Sequence, residues 1–99
     1  MYKFKLYLYM SGETPPSVAS AYNLRVLLDK ELKGQYSLEV INVLDNPQRA
    51  EENNILATPT LVKASPPPEK RVVGDLSDKE RVLTALGLTA EKESREVAQ

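Results

Sequence analysis

Any chemistry in this chain has to be made from a short list of side chains. The sequence contains no cysteine and no histidine. That removes thiolate nucleophiles, disulfide exchange, Cys-ligated zinc, the usual neutral-pH general base and the commonest transition-metal ligand together. Carboxylates, Lys, Tyr, Ser and Thr remain. Ser11 and Ser17 are the hydroxyls nearest a strand-to-helix junction, but no base accompanies them in sequence. The stretch Ser11-Gly12-Glu13-Thr14-Pro15-Pro16-Ser17 reads as turn and cap chemistry. Glu51-Glu52 and Asp75 with Asp78 are the carboxylate pairs. Neither follows the Gly-centred spacing of a calcium loop, and a solvated face and helix capping account for both. Gly12, Gly34, Gly74 and Gly87 are isolated, so no phosphate-cradling loop is present. No catalytic residue, cofactor or metal is expected.

Two groups of residues point instead to recognition. Tyr2, Tyr7, Tyr9, Tyr22 and Tyr36 crowd the early part of the chain, and tyrosine is favoured at binding surfaces as well as on half-buried sheet faces. Tyr7 and Tyr9 share one strand face. Lys63, Lys70 and Arg71 flank Pro66-Pro67-Pro68 as a small basic patch on an edge hairpin. Such a patch suits an acidic partner surface, and it also guards an edge against aggregation.

The elements that must position these residues belong to one domain. The chain has 99 residues, 41% hydrophobic and 27% charged, with a formal net charge of −1. That is a globular balance with no bulk attraction to nucleic acid. No run approaches the ~20 apolar residues of a membrane span. Met1-Tyr2-Lys3-Phe4-Lys5 alternates apolar and basic residues, unlike a signal peptide's core, so a cytoplasmic chain is expected. Residues 1–88 are read as the domain. Residues 89–99 are read as a polar, charged C-terminal tail.

Tyr2, Phe4, Leu6, Leu8 and Met10 alternate with Lys3, Lys5, Tyr7 and Tyr9, the period of a strand. Thr14-Pro15 is a cap-and-proline start for a helix to Lys33, with Ala21, Leu24, Leu27, Leu28 and Leu32 on its apolar stripe and Gly34 to end it. A second strand spans Tyr36 to Val43. Asn46-Pro47 repeats the cap signal before a short polar helix to about Asn54, which propensity alone would barely hold. Thr58-Pro59 leads into a third strand, Thr60 to Ala64; the X-Pro bond is compatible with cis or trans. The three prolines end it, because they lack amide protons. Lys70 to Val73 forms a fourth strand. Ser77 and Glu80 fit a capping box for a last helix carrying Val82, Leu83 and Leu86, with Gly87 at its end. The order is β-α-β-α-β-β-α, an α/β domain of thioredoxin-like βαβαββα type. Its first two strands are expected to run parallel and its last two antiparallel.

Several stretches resemble the circadian clock protein KaiB family: Ile55-Leu56-Ala57-Thr58-Pro59-Thr60-Leu61-Val62-Lys63, Pro66-Pro67-Pro68, and Val72-Val73-Gly74-Asp75-Leu76-Ser77-Asp78-Lys79-Glu80-Arg81-Val82-Leu83. Leu8-Tyr9, Gly12, Thr14-Pro15, Val40-Ile41, Val43-Leu44 and Asn46-Pro47-Gln48 are similar too, over about residues 4–88. The resemblance implies a non-enzymatic binding protein whose partner is a KaiC-like hexameric ATPase, with KaiA or a histidine kinase engaged by the complex. It also implies two folds. One is a free dimer or tetramer of βαββααβ order, and the other is a bound thioredoxin-like monomer. Thr58, Pro59, Pro66, Pro67 and Pro68 punctuate the half that would rearrange, where little apolar surface per element leaves two packings on the order of a few kcal/mol apart. Basic residues usual in the family are Ala19, Glu39 and Asn54 here. The reversal at Glu39 lies on the strand edge that the family turns toward KaiA and speaks against that partnership. Lys63 and Arg71 are retained as candidates for the ATPase interface. Ala85-Leu86-Gly87 stands where the family commonly has Gly-Leu-Asp. Ala85 favours helix over Gly by about 1 kcal/mol and Gly87 stops it, so both push toward the thioredoxin-like form.

Overall fold

A computed structural model describes residues 3–12, 14–74 and 76–87. Alternation in the first strand, β1 (Phe4–Met10), puts Phe4, Leu6, Leu8 and Met10 on one face, all buried. Thr14 caps the first helix, α1 (Pro15–Leu32), by accepting from the Ser17 amide, and Pro15 opens it. Its buried stripe is Leu24, Leu27, Leu28 and Leu32. Lys33 turns left-handed at φ 51° and its amide closes on the Asp29 carbonyl, with Gly34 following at φ 82°. The second strand, β2 (Tyr36–Asn42), stops one residue short of the expected Val43, because Asn42 begins a turn. The Asn42 side chain accepts from the amides of Gly12 and Leu44.

The second helix, α2 (Pro47–Glu52), ends earlier than Asn54, which adopts φ 56°. Asn46 occupies its N-cap position but does not cap it; the side-chain amide donates back to the Asn42 carbonyl. After α2 come β3 (Thr60–Ser65), β4 (Lys70–Val73) and α3 (Lys79–Ala85). The cap of α3 is Asp78, which accepts from the Arg81 amide, rather than the expected Ser77. The carboxylate sits one residue nearer the first free amides, and a charged acceptor there is favoured by the helix dipole.

The four strands form one sheet in the order β2-β1-β3-β4. β2 runs parallel to β1 and β4 antiparallel to β3, as the element order predicts, and β3 joins the two pairs by running antiparallel to β1. One face carries the main core, where Leu6, Leu8 and Leu61 meet Leu24 and Leu28 of α1 and Val82, Leu83 and Leu86 of and beyond α3. The other carries a small core of Tyr9, Ile41 and Val62, with Tyr7, Val43 and Ile55 packed against it. The arrangement is the thioredoxin-like one, not the βαββααβ alternative. Asp75 and the tail at 89–99 lie outside the described residues.

Candidate functional site

Strand alternation separates the residues expected to form one basic patch. Lys63 shares its face with Leu61 and lies between Leu6 on β1 and Lys70 on β4. It is 7% exposed. An exposed Lys63 is therefore corrected: its long stem adds apolar surface beneath the hairpin. Lys70 faces α3, and Arg71, one residue on, belongs to the opposite face of the sheet.

Lys70 and Arg71 still meet at the sheet edge. An open groove of about 480 Å³ runs between β4 and α3, lined by Lys70, Arg71, Val72, Glu80, Arg81, Thr84 and Ala85. Three cations against one carboxylate give it a basic character. Arg81, missed in the sequence, donates to the Val73 carbonyl at 2.8 Å and covers part of the open strand edge. Its spacing of four from Ala85 on one helix is the signal that could have found it. Ala85 ends α3 and Gly87 follows at φ 86°.

The other face carries a cross-strand rank of Glu39, Tyr7, Val62 and Arg71. Arg49 of α2 grips Glu39 with two hydrogen bonds, 2.9 and 3.3 Å. That guanidinium holds the Glu39 carboxyl below its ordinary range. At the far end Arg71 pairs with Glu69 at 2.9 Å and donates to the Asn54 carbonyl at 3.2 Å. Tyr9, in the neighbouring rank, is 2% exposed. Burial raises its phenol pKa, and the nearby Arg49 opposes that.

The described tyrosines do not make one surface. Tyr7 and Tyr9 lie on the α2 side, while Tyr22 is exposed on α1. Tyr36 packs with the main core and donates to Asp29 at 2.6 Å. Tyr2 lies outside the described residues. The peptide bonds Thr58–Pro59, Ser65–Pro66 and Pro67–Pro68 are cis, so the proline punctuation brackets β3 at both ends. At the β1–α1 junction, Thr14 Oγ1 donates to Ser17 Oγ at 3.1 Å, which absorbs Ser17 into the helix cap. Among the described residues no three acidic side chains gather as a metal site, and no helix is long and apolar enough to cross a membrane.

The comparisons with known proteins agree with this geometry. The chain is 53% identical over 92 residues to the circadian clock oscillator protein KaiB of Prochlorococcus marinus (strain MIT 9303), covering 93% of this chain and 77% of that protein. The solution structure of the N-terminal domain of Synechococcus elongatus SasA superposes with a TM-score of 0.63 at 27% identity, covering 87% of this chain and 85% of that one. Thioredoxin 1 of Thermosipho africanus, at 18% identity, shares the fold with a TM-score of 0.67 over 91% of this chain and 98% of its own. The KaiB domain model matches residues 7–88, and the chain belongs to the KaiB family.

Proposed function

We propose that this chain is a non-enzymatic adaptor that binds a hexameric KaiC-type ATPase in circadian or stress-timing signalling in the cytoplasm. The observation that carries the reading is the family match over residues 7–88. It rests on a thioredoxin-like scaffold whose β1–α1 junction holds a helix cap where redox members keep thiols. Lys70 and Arg71, with Arg81, offer an acidic partner surface a basic groove at the β4 edge. Tyr7 and Tyr9 belong to the reading as contacts from the other face, once that face is accessible. Fold switching belongs to it too. A free dimer or tetramer would yield to the thioredoxin-like monomer, with Thr58, Pro59, Pro66, Pro67 and Pro68 marking the segment that changes and Ala85 and Gly87 favouring the bound form.

The test is incubation with the cognate KaiC-type ATPase and ATP for a day, followed by analytical size exclusion. Co-elution is expected, and separate elution after that time overturns the reading. The likeness to the SasA N-terminal domain favours a second reading, a thioredoxin-like module that binds a two-component histidine kinase. A pull-down that recovers a kinase and no ATPase selects it.

A further inference from the structure

The helix α2 is attached to the molecule in an unusual way. It has no buried residue, and it makes only sparse contact with other elements. Yet the residues that flank it, Val43 and Ile55, pack against the small core, where Tyr9, Ile41 and Val62 are buried. Sheet faces of this kind are normally covered by a helix with an apolar stripe of its own. Here the sequence Pro47-Gln48-Arg49-Ala50-Glu51-Glu52 has only Ala50 to offer.

Besides Ile55, which is tied to the helix by its amide on the Ala50 carbonyl, polar ties hold the segment, and their placement is specific. Glu39 and Arg71 are the two ends of a single cross-strand rank, Glu39-Tyr7-Val62-Arg71. Arg49 binds the first end through both of its terminal nitrogens. The carbonyl of Asn54, just past the helix, accepts from the second. The segment is thus strapped across the sheet from the β2 side to the β4 side. Both ends rest on exposed or partly exposed arginines, and the Arg49–Glu39 pair is 40% and 53% exposed. Ties of that kind hold weakly and yield to salt. Beyond the strap the chain is anchored firmly at Asn42, which binds the amides of Gly12 and Leu44.

We infer that α2 with its C-terminal turn is a hinged cover, latched by Glu39–Arg49 and Arg71–Asn54, that comes off the sheet and, being only six residues long, unwinds in the same opening, uncovering Tyr7, Tyr9, Ile41 and Val62. Opening leaves the main core intact, because none of its residues comes from α2. The surface it reveals is an apolar, tyrosine-bearing sheet face.

Hydrogen exchange of the full chain tests this, since four amides report on the cover: Ala50, Asn53, Asn54 and Ile55, bonded to the carbonyls of Asn46, Arg49, Glu51 and Ala50. They are expected to exchange faster than the amides of Leu8 and Leu28, through an opening of their own. Glu39→Gln, close to isosteric, and separately 1 M NaCl on the unaltered chain, should each lower their protection about two- to fivefold. Leu8 and Leu28 should not change. Nitration of Tyr9 by tetranitromethane should quicken by the same factor in Glu39→Gln. Exchange of the four amides at the rate of the core, absence of protection, or an equal loss at Leu8 and Leu28 would each overturn the cover. So would unchanged Tyr9 nitration in Glu39→Gln. None of these readings involves the ATPase, so failure of the cover would remove Tyr7 and Tyr9 as contacts while leaving binding through the Lys70–Arg71–Arg81 groove to its own test.

Discussion

Leu28 sits at the bottom of the main core with no exposed surface, and its neighbours are themselves held by helix and sheet. Leu28→Ala therefore removes well-packed methyls and leaves a cavity; urea denaturation should show a loss of about 2–5 kcal/mol. Two titrations have opposite signs. Tyr9 has its phenol pKa raised by burial, so the folded protein keeps that proton longer than the unfolded chain. The stability it contributes is complete below the ordinary tyrosine range and falls as pH rises through the folded value. Ultraviolet titration should place Tyr9 later than an ordinary tyrosine, and a drop of that absorbance step into the normal range would contradict the burial. Glu39 is lowered by its hydrogen bonds from Arg49. Its contribution is present above the ordinary carboxylate range and fades as pH falls through its own, lower value. Protection of the Asn53 amide should follow that acid limb, and a flat response would detach α2 from Glu39.

Elements here depend on their ends. Thr14 and Asp78 each satisfy an amide in the first turn of a helix, and Thr14→Ala or Asp78→Ala should each cost about 1 kcal/mol in thermal or chemical denaturation. Asp78→Asn should recover most of the second loss. Gly87, at φ 86°, allows the chain to leave α3; Gly87→Ala forces a Cβ into the left-handed region, at about 1–2 kcal/mol. The capping motif around α3 shows how sequence and structure diverge at this scale. Ser77 and Asp78 are both good caps by type, and only the course of the chain into the helix chooses between them. The same holds for Asn46, whose type predicts a cap and whose side chain is drawn back to Asn42 instead.

For the whole molecule, binding and folding can be told apart through the exposed and the buried cations of the hairpin. Lys70 and Arg71 are exposed, so the Lys70→Glu/Arg71→Glu double variant should weaken capture of the ATPase more than about tenfold while the domain stays folded. Lys63 is buried, and Lys63→Met, which keeps the stem, should leave binding within about twofold. Strong loss of binding in folded Lys63→Met would restore the ammonium as a contact.

The element order, the parallel and antiparallel pairings and the family were legible in the chain. Alternation in Phe4–Met10, the three- and four-residue spacing through Leu32, and the proline and glycine breaks are local properties that each segment carries on its own. The absence of cysteine and histidine likewise needed no coordinates. The face on which each hairpin cation lies was not legible as a patch, because neighbours in a strand point to opposite sides. Lys63 and Arg71 look adjacent to the proline turn in sequence but are divided by the sheet. Nor did the chain announce that Glu39 and Arg71 stand at opposite ends of one rank, or that Arg49 reaches the first of them. Those relations join residues from β2, β1, β3, β4 and α2, and only strand register brings them into line. Composition and periodicity thus determined what this protein is built from and what chemistry it lacks. Tertiary structure decided which side chains are available to a partner, since burial and register belong to the assembled sheet and not to any one segment.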